Sequence, residues 1–238
     1  MMAEGARMRT FLFAAALIAI GAPVGAETRN FGITSFEKVR VDGPFRVHLV
    51  TGVAPFATAT GPAAALDRVA IEVRGNTLVV HNNLDSWGGY PGKDAGPVEV
   101  SLGTHDLSAA WLNGSGTLSI DRVRGLSFDL SVQGSGAGDI GQAAVDQLNI
   151  SVVGTASARL AGKAAKMTAV IRGISSLDAS SLAAKDATLG ADGAATVSAS
   201  ISNSVTIDAN GPATVRLTGL PSCTLRVAGS ASVSGCRD

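Results

Sequence analysis

The sequence predicts an all-β fold: a single-stranded parallel β-helix, or solenoid, of about 18–20 residues per coil, right-handed as parallel connections generally are. Three observations predict it. Glycine recurs at Gly114, Gly134, Gly154, Gly173, Gly193, Gly211 and Gly229, at intervals of 20, 20, 19, 20, 18 and 18 residues, which is a solenoid period. Apolar and polar residues alternate on both sides of each glycine. Helix-breaking glycine is also spread along the whole chain, 29 in all, as many short strands joined by turns require.

Within each repeat, the positions two, four and six after the glycine are small or apolar, as in Gly116, Leu118, Ile120 and in Ala156, Ala158, Leu160. The residues between them are mostly polar, as in Thr117 and Ser119 or Ser157 and Arg159. Before the glycine, Phe128, Leu130, Val132 and then Leu148, Ile150, Val152 alternate in the same way with polar partners. A period of two marks strands with one buried face, so each repeat reads as two short strands meeting at a glycine corner. With no helical crossover between repeats, these strands pair by stacking coil on coil about 4.8 Å apart.

Upstream the strands continue less regularly, in "FEKVRVDGPFRVHLVTG", "DRVAIEVRGNTLVVHN" and "GPVEVSLGTHDLSAAWLNGSG". Before them, Arg7, Arg9, an apolar run and the small residues Val24 and Ala26 form a secretory signal with a cut ahead of Glu27. Its apolar core of about 13 residues is short of the roughly 20 that cross a bilayer. The organisation expected is a signal peptide at 1–26 and one β-helical domain at 27–238, with irregular coils over 27–111 and regular ones over 112–238. The product is then exported, periplasmic or secreted to the cell surface, with no membrane span.

Removing Arg7, Arg9 and Glu4 from 19 basic and 19 acidic residues leaves a charge near −1, which gives no general drive toward nucleic acid or anionic membrane. The two cysteines, Cys223 and Cys236, are an even pair in an exported chain and read as a disulfide closing the last coil.

Here a family resemblance becomes usable. The run Phe36, Val39, Val41, Gly43, Pro44, Phe45, Val47, Leu49, Thr51, Gly52, with Leu78, Val80, Leu107 and "NGSG", resembles the head GIN domain of autotransporter-type adhesins. The resemblance covers essentially all of the mature chain. It implies an exported bacterial β-helix and a role in adhesion, and it brings no catalytic residues, because that family has no established chemistry.

The residues that could carry chemistry have plainer readings. Gly136, Gly138 and Gly141 match the G-x-G-x-x-G spacing, but neither the following helix nor the acid about 20 residues on is present to hold a dinucleotide. Gly136 and Gly138 instead fall at inward positions and read as a thin place in the core. His48, His81 and His105 read as surface residues, with only His105 beside an acid, Asp106. Asp139, Arg159 and Asp178 occupy one outward position on successive coils, an ion ladder more than a pair of hydrolytic carboxylates. The column Thr168, Thr188, Thr206, Thr224 reads as a hydroxyl-lined strand face.

Aromatic placement is more informative. Seven of the eight aromatics after the signal precede residue 112. Trp87 and Tyr90 lie in the turn-rich insertion "NNLDSWGGYPGKDAGP", and Trp111 falls where the repeat points outward. They read either as a cover for the N-terminal end of the solenoid or as a ligand site. The expectation is therefore a non-catalytic binding or adhesion module at the cell envelope, with Trp87, Tyr90 and Trp111 as candidate ligand-binding residues and a glycan or protein as ligand. It carries no catalytic residue, metal or cofactor. The alternatives are a polysaccharide-acting β-helix enzyme and a purely structural, self-associating periplasmic protein.

Overall fold

The computed structural model describes residues 26–83 and 96–237. Residues 1–25 of the expected signal, and Trp87 and Tyr90, lie outside the described residues. In chain order the strands are β1 (Glu27–Phe31), β2 (Lys38–Asp42), β3 (Arg46–Thr51) and β4 (Phe56–Gly61), then a short helix α1 (Ala63–Leu66), β5 (Val69–Arg74), β6 (Thr77–Asn82), β7 (Glu99–Thr104) and β8 (Ala109–Gly114). The regular coils follow: β9 (Thr117–Gly134), β10 (Ala137–Gly154), β11 (Ser157–Gly173), β12 (Ser176–Asp192), β13 (Thr196–Asn210), β14 (Thr214–Thr218), β15 (Ser222–Ala228) and β16 (Ser232–Ser234).

From β8 onward the strands stack in parallel with glycine over glycine: Gly114 aligns with Gly134, Gly134 with Gly154, and Gly154 with Gly173. The column needs glycine for two reasons. At Gly154 φ is +104°, a region that side chains rarely adopt, and a Cβ there would stand 2.5 Å from the carbonyl oxygen of Gly134. The inward residues form the core. Phe128, Leu148, Met167, Ala187 and Val205 lie one above the next in register, and all are buried.

Two readings of the repeat need correction. Each coil has a third paired stretch between the two read from the sequence: Arg122–Gly125 pairs with Gln142–Val145, and the following coils continue it. It buries Val123, Ala143, Ala164, Leu182 and Ile201. Gly136 and Gly138, in turn, do not mark a thin core. A Cβ on Gly136 would meet the Gly116 carbonyl oxygen at 2.7 Å and Leu112 Cδ2 at 2.9 Å, and one on Gly138 would meet Val132 Cγ2 at 2.9 Å. Neighbouring side chains already fill the space. Ser175, at the position that Gly136 and Ala156 hold in other coils, is buried with its hydroxyl donating to the carbonyls of Gly154 and Arg172.

The N-terminal coils stack out of chain order. β2 lies between β6 and β8, and β3 lies between β7 and β9. The β6–β7 coil is therefore outermost although it follows β2–β3 in sequence. Antiparallel strands finish this end: β4 pairs with β7 and β1 with β4 on one side, and β5 pairs with β6 on the other. Such reversed strands interrupt the parallel template.

The C-terminal end is finished differently. β15 pairs with β13 alone and β16 with β14 alone. Cys223 and Cys236 form a disulfide with Cα atoms 5.8 Å apart, and the Arg237 amide donates to the Pro221 carbonyl, so the last residues are drawn back onto the stack. Leu225 and Val227 occupy inward positions yet are 45% and 47% exposed, because no further described strand stacks on β15.

Candidate functional site

Trp111 sits in the middle of β8 with its neighbours Ala110 and Leu112 buried. Strand alternation therefore turns the indole outward, as expected from the sequence, and it is half-buried. Register places Arg40 on one side of it and Ser131 on the other. Continuing from Ser131, the same outward position holds Ser151, Val170 and Gly190. The indole thus stands at the head of a line of small side chains.

Planar polar groups flank that line. On one flank, Asp42 accepts from Arg40 Nε at 3.0 Å and from Asn113 Nδ2 at 2.7 Å, and Gln133 Nε2 donates to Ser131 Oγ at 3.3 Å. On the other, Asn149 Nδ2 donates to Asp129 at 2.8 Å. These bonds hold the amide and carboxylate groups while leaving other donors and acceptors free toward solvent. An indole face beside ordered amides can stack on the C–H face of a sugar and hydrogen-bond its hydroxyls.

The strands on either side of the insertion that carries Trp87 and Tyr90, β6 ending at Asn82 and β7 beginning at Glu99, belong to the outermost coil. That coil is separated from the Trp111 coil by a single one, β2–β3.

The other candidate side chains disperse. His48 is exposed on β3. His81 is tied by hydrogen bonds to Glu72 at 2.9 Å and to the Asn82 carbonyl, a pairing with an acid across the β5–β6 hairpin that the linear sequence reading missed. His105 lines a cavity with Asp106. Asp139, Arg159 and Asp178 do align in register, with an Arg159–Asp178 ion pair at 3.7 Å. The side-chain and backbone hydrogen bonds from Ser180 and the charge of Arg159 hold the Asp178 carboxyl below its ordinary range. Bonds from Ser204 and Asn203 do the same to Asp186. A general acid in glycoside cleavage needs the opposite displacement. Among the described residues no group of three His, Cys, Asp or Glu side chains could hold a metal.

The family model described as "Putative auto-transporter adhesin, head GIN domain" matches residues 35–221. The chain belongs to that family. Solved structures share the GIN-domain fold at low identity. One is a "putative adhesin" from Bacteroides fragilis, 17% identical with a TM-score of 0.77, covering 88% of this chain and 95% of its own. Another is a "putative lipid binding protein" from Parabacteroides distasonis, 17% identical with a TM-score of 0.70, covering 87% and 95%. A third, a "putative adhesin" from Parabacteroides merdae, is 16% identical with a TM-score of 0.62, again covering 87% and 95%. No curated protein matches the sequence. No helix among the described residues is long and apolar enough to cross a membrane.

Proposed function

We propose that this GIN-domain protein is an exported, non-catalytic binding module that acts at the cell envelope, and that the face bearing Trp111 takes a glycan. The observation that carries this reading is the half-buried indole set among ordered Asp, Asn and Gln side chains at the head of a line of small side chains, Ser131, Ser151, Val170 and Gly190. Strand propensity favours tryptophan, but nothing in the packing of β8 calls for one facing outward. Trp87 and Tyr90, outside the described residues, are the other candidate ligand-binding aromatics.

The test is a glycan array and a whole-cell binding assay on the mature protein, with Trp111→Ala and with a Trp87→Ala, Tyr90→Ala double variant. Loss of stacking on one ring is expected to weaken binding about tenfold. Binding that survives both variants refutes the aromatic site. A second reading, a purely structural self-associating protein, is favoured by the open β15 edge with Leu225 and Val227 exposed. It expects a mass that grows with concentration in sedimentation and no glycan on the array.

A further inference from the structure

The third paired stretch carries a charge pattern of its own. Residues 122–125, 142–145, 161–164 and 181–184 form it on four successive coils, and their only charged side chains are Arg122, Arg124 and Lys163. Register stacks Arg124, Ala144 and Lys163 in one column, so two basic positions stand two coil steps, about 9.6 Å, apart with only a methyl group between. In a chain with no net charge, this is a local concentration of one sign.

At the N-terminal end of the stretch is a cavity of about 130 Å³ whose polar walls are Thr51, His105, Asp106, Arg122 and Arg124. The loop that carries His105 is fixed by the Gly52 amide donating to the His105 carbonyl at 2.9 Å and by the Ser108 amide donating to Glu37. Of the two arginines, Arg122 makes an ion pair with Asp121 at 3.7 Å, and the other oxygen of that carboxylate accepts the Thr51 amide at 3.0 Å. Arg124 is exposed and has no ion-pair or hydrogen-bond partner among the described residues. Asp106 is the one acid lining the cavity, against two guanidinium groups.

We propose that this cavity and the Arg124–Lys163 column bind an acidic glycan, with one carboxylate or sulfate group held by Arg122 and Arg124 in the cavity and a further anionic group along the same chain meeting Lys163. Guanidinium forks match the oxygens of such groups through paired N–H donors. Nucleic acid fits poorly, because the stretch has no aromatic for base stacking and three charges release few counterions. The site is separate from the Trp111 face and does not depend on it.

Calorimetric titration of the whole mature protein tests this with polygalacturonate as the carboxylate probe, dextran sulfate as the sulfate probe and neutral dextran as control, each at two salt concentrations. Binding to an acidic polymer but not to neutral dextran is expected, weakening with salt. Arg124→Ala and Lys163→Gln should each weaken it, the former about tenfold, while Arg216→Gln, which removes an exposed charge on β14, leaves it unchanged. Asp106→Asn removes the opposing carboxylate and should tighten binding several-fold, a gain that loss of folding cannot imitate. The proposal is overturned by no binding to either acidic polymer, by equal binding of neutral dextran, or by weakened binding in Asp106→Asn.

Discussion

Replacing Gly154 with alanine should cost about 3 kcal/mol of stability, and replacing Gly211 only about 1 kcal/mol, although both are corner glycines of the same column. At Gly154 two costs add. Its φ of +104° is strained for any side chain, by roughly 1–2 kcal/mol. The added Cβ would also stand 2.5 Å from the Gly134 carbonyl oxygen, an overlap of the kind that costs a further 1–3 kcal/mol or so. The coils cannot spread to relieve it, since the Thr155 amide donates to Gly134 and the Ile174 amide to Gly154, both at 2.8 Å. At Gly211 φ is +78° and the nearest atom to a Cβ is the Gly193 Cα at 3.4 Å, so conformational strain acts alone.

For a chain of this size, 1 kcal/mol moves Tm by roughly 2–4 °C. Calorimetry should then show Gly154→Ala melting about 6–12 °C below wild type and Gly211→Ala about 2–4 °C below. Gly134→Ala has the same φ and a contact of 2.6 Å, and should follow Gly154→Ala. Repeat arrays can lose terminal coils separately, so amide exchange across the Gly154 corner should accompany the melt. Equal shifts at Gly154 and Gly211 would refute the steric half of the reasoning, and a larger shift at Gly211 would refute all of it.

Two further outcomes are expected. Cys223→Ser, or reduction of the wild type, should destabilise the last coil by up to about 3 kcal/mol, as loss of a short closed loop does; melts that coincide with and without reductant would remove this role. Glu72 is held below its ordinary value of 4.5 by hydrogen bonds from His81 and then Arg74, so the stability it contributes is present above pH 4.5 and is lost as pH falls through the depressed value. Urea midpoints measured from pH 6 to pH 3 should therefore drop less for Glu72→Gln than for wild type, and parallel curves would contradict the linkage.

Much of the regular half was legible because one physical constraint repeats in it. A corner of positive φ that favours glycine recurs at every regular coil, and the strands either side keep fixed offsets from it. The third stretch escaped for the converse reason. Its buried residues stand nine residues after the glycine at Val123, Ala143 and Leu182, ten at Ala164 and eight at Ile201, with register shifts such as that between Ile140 and Ala143. A residue that slides relative to the period vanishes when repeats are compared at fixed offsets. The swapped order of β2 and β6 was illegible for a different reason, since alternation tells which face of a strand is buried but not which strand lies beside it. The His81–Glu72 pair had a usable signal: "EVRGNTLVVH" with Gly75 at φ +62° is a hairpin that sets His81 two residues beyond Val79, the register partner of Glu72, on the same face.

The same distinction separates what the fold explains from what it leaves over. Inward positions answer to packing, and the corner glycines answer to the 4.8 Å step of the stack. Outward positions answer to neither, so a residue there that strand geometry does not ask for is where function can be sought. Trp111 is such a residue among serines, and Arg124 and Lys163 are such residues among alanines. They stand on different stretches of the coil, each fixed by hydrogen bonds that run along the stack. Substitution on one outer face therefore leaves the register of the other intact, and variants at sites so separated should combine additively. An affinity for one glycan carrying both a neutral segment and acidic groups would then be the product of two independent contributions, and a double variant of Trp111 and Arg124 should lose the product of the two single losses.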